Sequence, residues 1–172
     1  MLKLPEQVLF DIIAENPKIV ISKDVRSFMH FNEDGEYICL DPSDLDDEST
    51  ISHEMGHVVD HVYKKDEYGF SSDNKEFVDS FNKGCRRYEA AGNIRHSEKW
   101  DEKHHSYSIV YEKEGDYCTF NQQEMFAECY QYITTGNCSS ISTIKKYFPE
   151  MLNIVKHYIS NIRSGKYGDR NI

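Results

Sequence analysis

The sequence has no long apolar run, only four prolines and a single tryptophan. No stretch approaches the roughly 20 apolar residues that are needed to span a bilayer. Membrane-embedded classes of protein are therefore excluded by the sequence pattern. We expect a soluble, monomeric protein without a membrane partner. The sequence contains no internal repeat and no coiled-coil pattern.

Positive charge is also scarce, since 20 lysines and arginines stand against 30 aspartates and glutamates, for a formal net charge of -10. Nucleic acid is bound through patches of Lys and Arg that neutralise its phosphates, and the sequence contains only short basic pairs. We therefore expect no nucleic-acid partner. An acidic surface instead favours a peptide or protein substrate of basic character.

Paired cysteines and a leader sequence are both missing. The five cysteines are odd in number, widely spaced and without a CxxC pair, which is typical of reduced thiols in a cytosolic protein. Glu6, Asp11 and Glu15 interrupt any apolar block near the N-terminus, so no signal peptide is predicted. We expect a cytoplasmic protein, or an effector that is delivered or exported without a leader; secretion stays open if a leader has been removed.

The length of 172 residues fits a single domain, and the mixture of patterns predicts an α+β fold. Residues 1–66 are expected to form an N-terminal lobe with a small mixed sheet. Its elements would be a helix over residues 5–14, a buried strand over 18–22 and a hairpin over 27–40. A second helix would be capped within residues 49–52 and would run to about Tyr63.

Residues 67–172 are expected to form a mostly helical C-terminal lobe. Apolar residues at helical spacing predict a helix that begins before Phe77 and fades at Gly92. The remaining predicted elements are a strand over residues 107–111, a helix over 122–134 and a helix over 144–162 that bends at Pro149.

The motif with most chemical content is His53-Glu54-Met55-Gly56-His57, an HExxH arrangement on the second predicted helix. Residues four apart lie one above the other on a helix, so His53 and His57 can bind one ion. Glu54 lies on the adjoining face and can reach a water on that ion. The motif alone is also compatible with an ordinary solvated helix face.

Hydrolytic zinc sites use three protein ligands, so a third ligand is needed. His61 lies about 12 Å along the helix from His53, too far to share the ion. Asp60 could orient a ligand imidazole, or it could be an ordinary surface charge. A distant carboxylate remains, and Glu124 and Glu128 offer a pair, four residues apart and flanked by apolar residues.

Three separated segments resemble the catalytic domain of anthrax lethal factor, whose family includes the clostridial Pro-Pro endopeptidases. The segments are the HExGHxxD motif of residues 53–60, the segment Asn74-Lys75-Glu76-Phe77-Val78-Asp79-Ser80-Phe81, and Tyr117 followed by Glu124-Met125-Phe126-Ala127-Glu128. They occur in the family's order and cover about the middle half of the chain. The resemblance implies a zincin-like metallopeptidase fold with a zinc-binding active-site helix.

Carried over to this sequence, the resemblance implies that His53, His57 and Glu124 bind one zinc ion. Glu54 would be the catalytic base, and Tyr117 would assist the transition state. Glu128 would orient a ligand histidine. The segment before the motif contains no tryptophan, the residue with which Pro-Pro endopeptidases accept a kinked substrate, so Pro-Pro cleavage is left open.

The sequence therefore predicts a zinc-dependent endopeptidase that cleaves an extended segment lying along a sheet edge within residues 28–40. One alternative is a catalytically silent binding module that uses zinc as a structural staple. Another is a toxin or effector protease, similar to lethal factor, that needs a delivery partner.

Overall fold

The computed structural model describes residues 6, 8, 9, 11, 17–23, 27–32, 35–62, 71–95, 98–101, 106–109 and 116–163. These residues contain five α-helices, one three-stranded sheet and one two-stranded sheet. The predicted α+β class is therefore confirmed. None of the helices in this part of the chain combines the length and the apolar character needed to cross a membrane.

The larger sheet contains β1 (Lys18–Ile21), β2 (Phe28–Asn32) and β3 (Gly35–Leu40) in the order β1-β3-β2. The central strand β3 runs parallel to β1 and antiparallel to β2, which confirms the mixed sheet and the hairpin. The prediction that the first strand is buried is wrong, because Ile19 is 50% and Ile21 57% exposed. β1 is an edge strand, and no described element covers its faces.

The helices are α1 (Glu48–Val62), α2 (Lys75–Ala90), α3 (Gln122–Thr135), α4 (Ile141–Tyr147) and α5 (Met151–Arg163). α1 begins before the predicted caps, because Asp47 accepts a hydrogen bond from the Ser49 N–H. The single bent helix predicted near the C-terminus is wrong. It is two helices, because Pro149 lacks an N–H and cannot continue α4.

Two predicted elements are described only in part. β4 (Glu98–Asp101) and β5 (Ser106–Ile109) form an antiparallel pair, so the strand predicted over residues 107–111 is present as far as Ile109. Its partner β4 was not predicted. Glu6, Val8, Leu9 and Asp11 are helical, and the rest of the predicted first helix lies outside the described residues, as does Tyr63.

The core holds α1 against α3, which share the most extensive contact of any two described helices. Met55 and Val58 of α1 and Met125 and Phe126 of α3 are fully buried in it. Between them, a Cβ atom added to Gly56 would lie 2.7 Å from the Cα atom of Ala127. Only glycine allows this approach, so Gly56 sets the distance at which the two helices present their polar faces to each other.

Candidate metal centre

Three side chains meet where α1 and α3 are closest. His53 and His57 lie one turn apart on α1, and Glu124 lies in the first turn of α3. The Glu124 Oε2 atom is 3.1 Å from His53 Nε2 and 3.4 Å from His57 Nε2. The three ligand atoms all lie within 4.8 Å of one another, so this group could hold a metal ion.

The spacing of these atoms fits tetrahedral coordination. Zinc bonds of about 2.0–2.1 Å place neighbouring ligand atoms of a tetrahedron about 3.3 Å apart. The observed separations of 3.1 and 3.4 Å bracket that value. Two imidazoles and one carboxylate also leave a fourth position open, as catalytic sites do. The three side chains could therefore hold a metal ion.

Local structure in α3 holds Glu124 in place. The Asn121 side chain caps α3 by accepting a hydrogen bond of 2.8 Å from the Glu124 N–H. Ala127, which touches Gly56, lies three residues later on the same helix. The cap and the close helix contact together direct Glu124 towards the two histidines.

The charges of the group are strongly coupled. Burial alone would lower the pKa of His57, but the Glu124 hydrogen bond and the neighbouring carboxylates outweigh it and raise the pKa to about 9. Burial alone would raise the pKa of Glu124, but hydrogen bonds from His53 and His57 hold it far below its usual range. Without an ion, a proton on His57 therefore balances the Glu124 charge, and metal binding must displace that proton.

Glu54 lies beside this group but is not among its ligand atoms. Its side chain is buried, and burial raises the pKa of its carboxyl group. The backbone of Met29 on β2 hydrogen-bonds to the carboxylate and opposes that shift. A buried carboxylate with a raised pKa next to a potential metal site has the properties of a general base.

Tyr117 also reaches the site. It opens a short 3-10 turn, Tyr117–Thr119, just before α3. Its ring centroid is 5.9 Å from that of His53, and its ring stacks on Phe120. The structure thus brings the predicted Tyr117 to the metal ligands, with its ring lining the same cavity as Glu54.

Glu128 is buried one turn after Glu124. Its Oε1 atom lies 3.8 Å from His53 Nδ1, within ion-pair range but longer than a hydrogen bond. Its Oε2 atom accepts a hydrogen bond of 2.6 Å from the Cys138 thiol. Glu128 therefore lies on the Nδ1 side of His53, and its contact with Cys138 was not indicated by the sequence. Its predicted role in orienting a ligand histidine stays a prediction.

Asp60 has a different set of partners. Its two carboxylate oxygens accept hydrogen bonds from the Ser72 N–H at 2.7 Å and the Ser72 hydroxyl at 2.6 Å. Burial raises the pKa of Asp60 to about 7. Its charge contributes to the raised pKa of His57, but its hydrogen bonds anchor the Ser71–Asp73 turn. Its predicted role in orienting a ligand stays a prediction.

A cavity of about 240 Å³ adjoins the metal ligands. It is lined by Asp47, Ser49, Thr50, His53, Glu54, Tyr117, Glu128 and Gln131. Sequence reasoning missed Asp47, Ser49, Thr50 and Gln131. Helical spacing could have indicated two of them, since Thr50 precedes His53 by three residues and Gln131 follows Glu124 by seven.

No protein-family model matches the chain, and a search of curated proteins likewise returns no match. The likeness to the lethal-factor family therefore stays a prediction from three motifs. The described residues have an α+β fold in which the group His53, His57 and Glu124 could hold a metal ion.

Proposed function

We propose that the protein is a zinc-dependent endopeptidase with a zincin-like fold. His53, His57 and Glu124 are the ligands, and Glu54 is the catalytic base. The observation that carries this proposal is the convergence of the three ligand atoms, at 3.1 and 3.4 Å, beside a buried Glu54. The motif resemblance to lethal factor supports the same reaction.

A zinc ion held by His53, His57 and Glu124 would lower the pKa of a coordinated water and polarise the carbonyl group of the bond to be cleaved. Glu54 accepts a proton from the attacking water and delivers it to the leaving amine. Its raised pKa suits both steps, because it brings the carboxyl group closer to the operating pH. The Tyr117 hydroxyl donates a hydrogen bond to the oxyanion that develops on the substrate.

The substrate lies extended along β2. Of the two strands within residues 28–40, β3 is central and β2 has a neighbour on one side only within the described sheet, so β2 is the edge that can pair with a substrate. The Met29 backbone of β2 hydrogen-bonds to Glu54, so this strand borders the site. Backbone pairing along a strand selects flexible segments of a peptide or protein over folded surfaces.

An enzyme explains Glu54 better than a structural zinc site does. A structural site uses four protein ligands and needs no further carboxylate. Burying Glu54 raises its pKa, which means that its charged form is disfavoured by the fold. A residue with this cost and no ligand role is expected where proton transfer is the task.

The test combines metal content with peptide cleavage. Protein purified without chelator is analysed for metal, and wild type, Glu54→Gln and the control Glu48→Gln on the same helix are incubated with a diverse peptide library. We expect one zinc per chain in all three. Cleavage should fall about 10²- to 10⁴-fold in Glu54→Gln alone.

Each other outcome rejects a specific part of the proposal. Protein without zinc would overturn the metal centre. Zinc without cleavage of any peptide would favour the silent binding module, and full activity in Glu54→Gln would remove Glu54 as the base.

A further inference from the structure

The cavity beside the metal ligands extends the candidate site towards the first turn of α1. It is lined by His53, Glu54 and Tyr117 of the candidate site, and also by Asp47 and Thr50 at the start of α1. We propose that this cavity binds the side chain of a lysine or arginine next to the cleaved bond, with Asp47 as the specificity-determining residue. This inference rests on the proposed function and names its substrate class.

Apart from His53, the ionisable carboxyl and amino side chains that line the cavity are all acidic. Among the described residues that line it, Asp47, Glu54 and Glu128 carry carboxylates, and none is Lys or Arg. Glu54 is assigned to proton transfer, and Glu128 is buried against Cys138. Asp47 is exposed, so it is the carboxylate that is placed to balance a charge brought in by the substrate.

The hydrogen bonds around the cavity favour an occupant that donates hydrogen bonds. Asp47 accepts from the Ser49 N–H at 2.9 Å and from the Thr50 hydroxyl at 2.7 Å. Gln131 Nε2 donates to the Ser49 hydroxyl oxygen. The Thr50 hydroxyl hydrogen is thus already used, and the remaining lone pairs of Asp47 and Thr50 are acceptors. Ammonium and guanidinium groups carry donors only, so they complement this wall.

The position and size of the cavity select a long side chain close to the reaction. Because Glu54 and Tyr117 line it, an occupant belongs to a residue that adjoins the cleaved bond. A volume of about 240 Å³ is enough for a side chain of the size of lysine or arginine. An acidic side chain would be repelled by Asp47, and an apolar one would not balance its charge.

The first experiment uses one cleaved peptide in versions that carry lysine, arginine, norleucine or glutamate at each position next to the cleaved bond. kcat/KM is measured with the zinc-loaded wild type, Asp47→Asn and Asp46→Asn. Asparagine also caps helices, so Asp47→Asn should keep the start of α1. Asp46 is exposed, lies next in sequence and does not line the cavity, which makes it a control for charge alone.

We expect wild type to prefer lysine over norleucine by about tenfold at one position. Asp47→Asn should lower that ratio about three- to fivefold, the effect of one solvent-screened ion pair. Asp46→Asn should leave the ratio unchanged. Cleavage without a preference for lysine or arginine would overturn the inference while the endopeptidase proposal stands.

A binding measurement separates the two proposals. The same peptides are titrated into zinc-loaded Glu54→Gln, with and without Asp47→Asn. Lysine-selective binding that needs Asp47, together with no cleavage by wild type, would support the cavity and reject the endopeptidase. Neither binding nor cleavage would reject both.

Discussion

Two glycines bring helices together in different regions of the molecule, and their surroundings differ. Gly56 of α1 faces the backbone of Ala127 at the candidate metal centre. Gly84 of α2 faces the ring of Phe148, which is fully buried and stacks near Phe81. The contact at Gly56 lies between two polar helix faces, whereas the contact at Gly84 lies among aromatic side chains.

Close packing at a glycine therefore has different consequences in the two regions. Around Gly84 the contact contributes only to the stability of the core. Around Gly56 the same kind of contact sets the distance between Glu124 and the two histidines, and it does so beside buried carboxylates that are costly to desolvate. Changes near Gly56 should therefore alter metal affinity, and changes near Gly84 should alter only the free energy of unfolding.

The largest effect expected at the site is the loss of Glu124. Glu124→Ala removes one of three ligands and should lower zinc affinity on the order of 10³-fold. Glu128→Gln removes only the charge beside His53 and should cost about 10- to 100-fold. Competition against a chelator of known affinity measures both. Equal losses would mean that the two carboxylates share the ligand role.

The glycine pair tests the comparison directly. Gly56→Ala and Gly84→Ala should each lower the free energy of unfolding by about 1–3 kcal/mol, because the added methyl group overlaps packed atoms. Only Gly56→Ala should also weaken zinc binding. Chemical denaturation and chelator competition are the measurements. Weaker zinc binding in Gly84→Ala would break the distinction between the two regions.

Asp60 lies near the C-terminal end of α1. Its substitution tests whether residues outside the His-His-Glu group affect zinc binding. Asp60→Ala leaves the Ser72 N–H and hydroxyl unpaired and should lower the free energy of unfolding by about 1–3 kcal/mol. Asp60→Asn can keep both hydrogen bonds and should cost less. If zinc affinity of Asp60→Asn also falls about 10-fold or more, Asp60 orients His57 as well as the turn.

The smallest effect is expected away from the metal centre, at the ion pair between Arg87 of α2 and Glu150, the residue before α5. The Arg87 guanidinium beside Glu150 lowers the pKa of that carboxyl from 4.5 to about 2. The charged form is favoured in the folded state, so its contribution is present above about pH 4.5 and is lost as the pH falls towards 2.

Glu150→Gln should therefore lower the free energy of unfolding by less than about 1 kcal/mol at neutral pH, since solvent screens the pair. The difference from wild type should shrink as the pH falls through that window. Denaturation at several pH values measures it, with the exposed Glu89→Gln on α2 as the control. A difference that grows on acidification would contradict the assigned pKa.

The sequence predicted what depends on local periodicity. The helical spacing of His53 and His57 was enough to place both imidazoles on one face, and the hairpin of β2 and β3 followed from its turn. Glu124 lies 71 residues from His53, so no local pattern connects them. The apolar flanks offered Glu124 and Glu128 as a pair, and only the motif resemblance selected Glu124. Such a contact is fixed by the packing of α1 on α3, which the sequence does not state.

The errors have the same origin. The apolar composition of β1 suits a strand in either position, and only the order of the sheet shows that it lies at the edge. Asp47 immediately precedes α1 and Gln131 lies on α3, so their meeting in the cavity depends on the distance that Gly56 allows between the two helices. The contact of Cys138 with Glu128 likewise needs the chain to turn back after α3.

Buried cysteine thiols allow local opening to be measured separately in the two regions. Burial raises the pKa of Cys85 in α2 and of Cys138 beside Glu128, so neither is a thiolate near neutral pH. Alkylating reagents attack the thiolate and need access, so the modification rate of each cysteine reports how often its surroundings open. The modification rate of Cys85 thus reports how often the core opens, and that of Cys138 reports how often the surroundings of the candidate metal centre open.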